Sequence, residues 1–455
     1  MPRKNSFLSV TDQFCGAGGS SQGVRRLANR YNGGLEIKLA LNHWKLAIET
    51  HNTNFPDTLH DCTDISACDP RRYPSTDILI TSPECTNHSI AKGLKIIKKQ
   101  MDLFNTAKID PATERSRATM WDVCRFAEFH DYNAIIVENV VDARNWVMFD
   151  AWLHAMNSLG YKHQCVYLNS MHCHPTPQSR DRMYVVFWKK GNKTPVLDYR
   201  PLAYCEKCGK DVRSIQTWKQ PDIKFGKYRK QYVYCCPIDG KVVEPYYYAS
   251  FNCIDWSDRG RRIGDRKKPL SKNTLNRIKY GFRKYGEQPI LAVNYTPGYC
   301  KPLFKEASTV TTQDHHSLVI PFIIKTEHSN QFNVRSVMET LQTQTTRQSM
   351  GVITPESWNC FLAAYYGGSN CTKHITEEMG TITTGDRVSL INYKEPNIED
   401  CYYRMLKANE VKLAMAFDSD YVVLGNSRDQ VRQLGNAVTP PAMEWLMEQV
   451  VYSIS

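Results

Sequence analysis

The sequence predicts an α/β protein: an open, mostly parallel sheet carrying helices, followed by a smaller β-rich region. Three observations carry this expectation. Residues 7–190 alternate short apolar runs with stretches of helical spacing. Residues 291–391 repeat a Thr-rich strand unit three times. Between them, near Gly191–Pro195, the composition changes abruptly.

In the first region the apolar runs Phe7–Phe14, Leu35–Leu41, Ile78–Thr81, Ala134–Val137 and Tyr184–Trp188 read as strands. Trp121, Cys124, Phe126 and Phe129 recur at helical spacing, and strand–helix alternation of this kind argues for a parallel sheet. Residues 200–250 are rich in Tyr, Cys and basic side chains, and Ser271 is placed to cap a basic helix running to about Arg283, with Leu275, Ile278 and Phe282 on its buried face. In the repeat, Ser308–Thr312, Glu339–Thr343 and Gly380–Thr384 resemble one another. Strands at Leu318–Ile320, Gly351–Ile353 and Leu390–Ile391 follow them, and strands at Ile290–Tyr295, Pro321–Thr326 and Cys360–Tyr366 precede them. The repeat is either a plain β-scaffold or one whose turn residues Asp314, His315, Arg347, Asp386 and Arg387 face a ligand. Residues 400–455 return to helical pattern, with an amphipathic stretch at Leu406–Phe417 and a closing helix at Met443–Tyr452.

Of 455 residues, 58 are Lys or Arg and 46 Asp or Glu, a formal net charge of +12. The window 191–290 holds 22 of the basic and 10 of the acidic residues, so the whole excess falls there. A confined basic stretch reads as a footprint for a polyanion, nucleic acid above all, or as a solvated basic face. At 42% hydrophobic residues, global disorder is excluded. No apolar run approaches the roughly 18 residues that span a bilayer, and Met1-Pro2-Arg3-Lys4-Asn5 leads into no apolar signal core, so a soluble, non-secreted protein is expected. In that setting the 16 cysteines point to reduced thiols, a metal site or a catalytic thiol rather than disulfides.

Five segments carry chemistry. Asp12-Gln13-Phe14-Cys15-Gly16-Ala17-Gly18-Gly19 follows a strand and opens a helix, as a cofactor-binding turn does; it lacks the lysine of a phosphate-binding loop, which argues against nucleotide hydrolysis. Thr81-Ser82-Pro83-Glu84-Cys85-Thr86 sits at a strand end where ligands bind, with a proline to stiffen the approach to a thiol. Glu138-Asn139-Val140 ends another apolar run and offers a carboxylate for proton donation, or a helix cap. Gln178-Ser179-Arg180-Asp181-Arg182 carries two arginines suited to phosphate or carbonyl contacts. Gln433-Leu434-Gly435-Asn436-Ala437-Val438-Thr439-Pro440-Pro441 is the fifth.

Each is weak alone, but in this order and spacing they closely resemble the DNA (cytosine-5) methyltransferase family, from Asp12 to Pro441, with a variable region between roughly 195 and 400. The resemblance implies a Rossmann-like S-adenosylmethionine-dependent methyltransferase fold with a smaller, β-rich target-recognition domain. On it, residues 1–194 would form the catalytic domain and 195–400 the target-recognition domain, with 401–455 returning to complete the catalytic domain. It further implies that a target cytosine is flipped out of duplex DNA, that Cys85 is the nucleophile, that Glu138 stabilises charge developing on the ring, and that Arg180, with Arg182 nearby, holds the base carbonyl and a neighbouring phosphate. For the cofactor it implies stacking by Phe14, close approach at Gly16, Gly18 and Gly19, contacts at Asp64, Ile65 and Pro83, and closure by Asn436 and Val438.

Three positions depart from the family pattern. Glu84 stands beside the thiol where proline and glutamine usually flank it, Asn42 stands where an acidic residue usually holds the ribose, and His43 stands where an aromatic or apolar residue often flanks the adenine.

Cys205-Glu206-Lys207-Cys208-Gly209 has the spacing of a zinc knuckle, and Cys235-Cys236-Pro237-Ile238-Asp239-Gly240 resembles its partner with Asp239 in place of the last cysteine. One structural zinc on Cys205, Cys208, Cys236 and Asp239 is one reading, with Cys235 as a substitute ligand; a ribbon that has lost its metal is the other. The mixture of Lys224, Lys227, Tyr228, Arg229, Lys230 and Tyr232 suits phosphates and exposed bases.

The expected function is therefore methyl transfer from S-adenosylmethionine to C5 of cytosine in double-stranded DNA by a monomeric, cytoplasmic, prokaryotic or phage-encoded enzyme, with a cognate restriction endonuclease as a further partner. The alternatives are the same fold acting on RNA or with another donor, and a DNA-binding protein with weakened catalysis.

Overall fold

A computed structural model describes residues 7–84, 111–258, 260–270 and 398–454, together with Lys272, Leu275, Asn276, Ile278 and Lys279 and the strands lying between 290 and 390. Its central element is a seven-stranded sheet built from β1 (Leu8–Gln13), β2 (Leu35–Asn42), β3 (Leu59–Cys62), β4 (Ile78–Thr81), β5 (Ala134–Asn139), β6 (Tyr161–Asn169) and β7 (Asp181–Lys189). The order across the sheet is β3-β2-β1-β4-β5-β7-β6. All neighbouring pairs are parallel except those made by β7, which runs antiparallel to β5 and β6. Strand order reverses at β1, flanked by β2 on one side and β4 on the other, and the crevice at the carboxyl ends of such strands is where this architecture binds ligands.

The strands read as continuous apolar runs because both sheet faces are covered. Ile78, Ile80, Ala134, Ile136, Tyr184 and Val186 face one core, shared with α1 (Gly19–Arg30) and the C-terminal helices. Leu79, Ile135, Val137, Val185 and Phe187 face the other, shared with α3 (Pro111–His130) and α4 (Phe149–Ser158). The helix α2 (Lys45–Asn54) packs beside β2 and β3.

The five expected strands are present. Two were not expected, and their sequences show why. In β3 no residue is buried, so Leu59-His60-Asp61-Cys62 offers no apolar run. At the sheet edge, β6 opens with Tyr161-Lys162-His163-Gln164-Cys165, and only Tyr161 of these is buried.

After residue 400 the chain returns to this domain. The amphipathic stretch forms α5 (Ala408–Ala414), shorter than expected, and the closing helix is α7 (Pro440–Ile454). Between them α6 (Ser427–Asn436), capped by the Asn426 side chain, carries the first half of the Gly-Asn-Ala-Val motif. Tyr421 donates its hydroxyl to the Ala17 carbonyl at 2.6 Å, and a Cβ on Gly19 would stand 2.0 Å from the Val438 carbonyl oxygen. Gly19 is thus glycine because two backbones meet there.

The cysteine-rich insert contains β8 (Leu202–Cys205), β9 (Lys210–Arg213), β10 (Ile215–Trp218), β11 (Tyr232–Cys235) and β12 (Val242–Val243). It shares the core of the catalytic sheet: Tyr232 and Tyr234 are fully buried beside Val212, Val243 and the β6–β7 edge. The Gln216 amide donates to the Tyr167 carbonyl at 2.9 Å, and His174 Nε2 lies 2.8 Å from the Tyr246 carbonyl.

In the repeat region each of the six expected strands overlaps an observed one. Ile290–Val293, His316–Val319, Phe322–Lys325 and Met350–Thr354 join one sheet with Arg261–Arg262 and Tyr402–Met405, while Phe361–Tyr366 pairs with Ser369–His374 and Val388–Leu390 in another. The turn residues Asp314, His315, Arg347, Asp386 and Arg387, and Ser271, lie outside the described residues. Lys272, Leu275, Asn276, Ile278 and Lys279 are helical, and Ile278 is buried.

Candidate functional site

Four loops line up at the carboxyl ends of neighbouring strands. Backbone bonds tie them: the Cys15 N–H donates to the Leu41 carbonyl at 3.2 Å, Thr63 to Asn42 at 3.0 Å and Ser82 to Gln13 at 3.3 Å. The segments Phe14–Gly18, Asn42–His43, Asp64–Ile65 and Ser82–Glu84 therefore form one continuous rim.

The first loop turns tightly. Phe14, Gly16 and Gly18 all have φ between 53° and 81°. At Gly16 an added Cβ would meet nothing nearer than the Phe14 carbonyl at 3.8 Å, so the backbone there borders open space. Gly18, in contrast, is crowded, with the Tyr421 hydroxyl 2.3 Å from a would-be Cβ. Of Gly16, Gly18 and Gly19, Gly16 alone has room for a Cβ, while Gly18 and Gly19 are pressed against distant parts of the chain.

Beneath this loop runs a buried polar chain. Ser21 donates to the Asp12 carboxylate at 2.7 Å, His51 Nε2 lies 2.9 Å from Ser21 Oγ, and His51 Nδ1 lies 2.7 Å from His60 Nε2. Burial raises the Asp12 carboxyl to about 7 and lowers His51 to about 3.

Asn42 is buried, and its side-chain oxygen accepts the Trp44 N–H at 2.9 Å, shaping the turn into α2. His43 is exposed, and its Nδ1 lies 3.8 Å from Oε1 of Glu84. Two of the three departures from the family pattern thus face each other across the rim. Arg432 of α6 stacks over Trp44 at 4.4 Å, a contact with no motif to announce it. Asp64 is exposed and its carboxylate accepts the Ser66 N–H at 3.1 Å, while Ile65 is buried. Asn436 is exposed at the end of α6 and Val438 is buried against Gly19.

On the other side of β4, Glu138 ends β5. Arg182 Nε lies 2.7 Å from Oε1 of Glu138, and both side chains are nearly buried. Asn139 bridges the two motifs: its amide donates to the Pro83 carbonyl at 3.4 Å and its oxygen accepts the Val140 N–H at 2.8 Å. Cys85, two residues past Pro83, lies outside the described residues.

Arg180 does not join this pair. Its side chain is buried, and its guanidinium donates to the carbonyls of Gly435 at 3.2 Å and Ala437 at 3.0 Å. The expectation that Arg180 holds the base carbonyl is corrected: Arg180 lies just before β7 and directs its guanidinium to the late motif, while Arg182, inside β7, pairs with Glu138. Between them Asp181 accepts the Tyr228 N–H at 2.9 Å, with its carboxyl raised by burial. Asn169 holds the segment, accepting the Arg180 N–H at 3.0 Å and donating to Asp181 at 3.1 Å.

Part of the expected mixed basic–aromatic platform is buried or paired. Tyr228 and Tyr232 are buried, and Tyr228 stands edge-on to His172 at 4.6 Å. Lys227 pairs with Asp142 at 2.8 Å and Arg229 with Glu244. Their apolar bodies fill the core between insert and sheet, leaving Lys224 and Lys230 exposed. Cys205, Cys208, Cys236 and Asp239 converge, their ligand atoms all within 4.8 Å of one another.

The C-5 cytosine-specific DNA methylase family matches residues 8–234 and 301–452, most of the chain. The chain belongs to that family. Its members transfer a methyl group from S-adenosylmethionine to C5 of cytosine in DNA, the activity that the five motifs led us to expect. The type II methyltransferase M.HgiDI of Herpetosiphon aurantiacus is 25% identical over 189 residues, which cover 41% of this chain and 53% of the relative. The match thus spans about half the length of that curated relative. Among solved structures, the Entamoeba histolytica methyltransferase EhMeth matches at TM-score 0.52 with 13% identity, covering 98% of both chains. A Spodoptera frugiperda DNMT2 variant matches at TM-score 0.50 with 14% identity, covering 97% of this chain and 99% of its own. These likenesses show the fold alone, a Rossmann-like α/β domain. No helix among the described residues is long and apolar enough to cross a membrane.

Proposed function

We propose that this C-5 cytosine DNA methylase acts on duplex DNA through a covalent adduct of Cys85, with Glu138 and Arg182 holding the flipped base. The observation that carries the reading is the Glu138–Arg182 pair at 2.7 Å, tied through Asn139 to the strand end that leads to Cys85.

Cytosine C5 is a weak nucleophile. Addition of the Cys85 thiolate at C6 makes C5 enamine-like. Gly16, Phe14, Asn42, His43, Asp64 and Ile65 would hold S-adenosylmethionine, whose sulfonium would supply an electrophilic methyl group to C5 as its S–CH3 bond breaks, leaving S-adenosylhomocysteine. The open space at Gly16 fits a ligand that approaches the backbone closely. Glu138 bonds ring N3 and Arg182 the ring carbonyl, two neighbouring groups matched to two neighbouring ring positions, and both stabilise charge that grows on the ring. After methylation a base removes the C5 proton, the C5–C6 double bond reforms, and Cys85 leaves as thiolate.

The proposal places the enzyme in a prokaryotic or phage setting, in the cytoplasm and beside a cognate restriction endonuclease; of these, the type II methyltransferase relative from Herpetosiphon aurantiacus speaks for the setting. Exposed Lys267 and Lys268 supply part of the grip on the DNA backbone.

The test is incubation of the full chain with radiolabelled S-adenosylmethionine and, in parallel, unmethylated duplex DNA and RNA. Label in DNA, lost in Cys85→Ala, supports the reading. Label in RNA alone, or label in DNA that persists in Cys85→Ala, overturns it.

A further inference from the structure

We propose that Cys205, Cys208, Cys236 and Asp239 form a tetrahedral zinc site that closes the insert. The two halves come from separate turns. Cys205 ends β8 and Cys208 lies in the turn to β9, where Gly209 takes a φ of 62°. Cys236 and Asp239 lie in the turn between β11 and β12, where the Cys236 N–H donates to the Lys241 carbonyl at 2.8 Å and Gly240 takes a φ of 73°.

The distances fit a metal and exclude a disulfide. Cys208 and Cys236 Sγ are 3.8 Å apart; a disulfide needs about 2.05 Å, and Cys205, Cys208 and Cys236 are all free thiols. Zinc–sulfur bonds of about 2.3 Å at the tetrahedral angle put two thiolates about 3.8 Å apart. Oδ2 of Asp239 lies 3.2 Å from both Cys205 Sγ and Cys208 Sγ, close to the roughly 3.5 Å edge expected for one sulfur and one oxygen ligand.

The surroundings orient each ligand. The Ile238 N–H donates to Cys236 Sγ at 3.4 Å, and the Lys241 N–H occupies Oδ1 of Asp239 at 2.8 Å, which leaves Oδ2 to point at the thiols. Lys241 Nζ, the nearby cation, turns to Glu206 at 3.0 Å rather than into the cluster. Cys235, the adjacent candidate, stays in β11 opposite Ile215 and is not part of the cluster.

The site has a structural consequence. It ties the β8–β9 hairpin to the end of β11, and β11 carries Tyr232 and Tyr234 into the core beside β7. The same insert supplies the Tyr228 N–H to Asp181 and the Lys227 ammonium to Asp142, neighbours in sequence of Arg182 and Glu138. Zinc therefore holds a buttress behind the Glu138–Arg182 pair.

The test begins with metal content. The full chain, purified without chelator and passed through desalting, is measured by mass spectrometry of metals. About one zinc per chain is expected. Cobalt replacement is expected to show thiolate charge-transfer bands that strengthen in Asp239→Cys, as a fourth thiolate joins. Chelation is expected to lower the melting temperature. Zinc near zero in folded natural chain, iron in its place, or cobalt bands unchanged in Asp239→Cys overturns the proposal. Zinc at one per chain that survives in Cys208→Ser with Asp239→Ala overturns it equally.

Discussion

Arg182 and Glu138 stand 2.7 Å apart at the end of β5 and the start of β7, with side-chain exposures of 12% and 10%. A nearly buried pair of this kind is costly to break, because either charge left alone is uncompensated. Glu138→Gln preserves the shape and removes the charge. Its kcat should fall about 10²–10³-fold, and its melting temperature should fall as well because Arg182 keeps a nearly buried charge without its partner. Steady-state kinetics beside a thermal melt checks this; an unchanged kcat would remove Glu138 from the chemistry.

Arg180 and Arg182 should separate cleanly. Arg180→Met loses two charged hydrogen bonds to the Gly435 and Ala437 carbonyls, worth about 3 kcal/mol or more together. The expected result is a lower melting temperature and a raised KM for S-adenosylmethionine, because the late motif loosens. A variant that melts normally and loses only kcat would return Arg180 to the substrate.

The glycines of the first loop should also part company. In Gly19→Ala the new Cβ meets a fixed carbonyl at 2.0 Å, so destabilisation of about 3 kcal/mol is expected. In Gly16→Ala the nearest atom is 3.8 Å away, so stability falls only by the left-handed strain of about 1–2 kcal/mol while cofactor KM rises. Denaturant melts and donor titrations distinguish the two; equal melts would show that the α1–α7 contact is loose.

This division between close packing at Gly18 and Gly19 and open space at Gly16 is invisible in the run Gly16-Ala17-Gly18-Gly19. A glycine's neighbours come from distant residues such as Tyr421 and Val438, and only the folded chain names them. The strands were legible because apolar residues run unbroken where both sheet faces are covered. β3 was not, since none of its residues is buried. The motif names both arginines, but only the folded chain shows that Arg182 meets Glu138 while Arg180 meets the Gly435 and Ala437 carbonyls. The aromatic residues Tyr228 and Tyr232 misled because the same rings suit a base stack and a core, and composition does not say which.

Asp12 and its neighbours predict a pH effect. Its carboxyl is raised from 3.8 to about 7 by burial, so its contribution to stability is full below pH 3.8 and is lost as pH rises through 7. Asp12→Asn lacks that loss. Relative to the natural chain it should gain stability as pH climbs from about 4 to about 7, by up to about 4 kcal/mol, and then level off. Denaturant midpoints at several pH values check it; a flat difference would mean that Asp12 is ionised when folded.

Lys267 and Lys268 are exposed within the basic window. Changing both to Gln should weaken DNA binding across sequences and shallow the salt dependence of log K by about 2. Binding titrations over a salt series measure the slope, and an unchanged slope would make this stretch a solvated face.

The central claim is methyl transfer to C5 of cytosine in duplex DNA. The most direct measurement is mass spectrometry of nucleosides after incubating the chain with duplex DNA and S-adenosylmethionine carrying a trideuterated methyl group. The account predicts 5-methyldeoxycytidine bearing the intact deuterated methyl, absent with Cys85→Ala. Deuterated methyl on the exocyclic nitrogen, on adenine, or on no base of the DNA would contradict it.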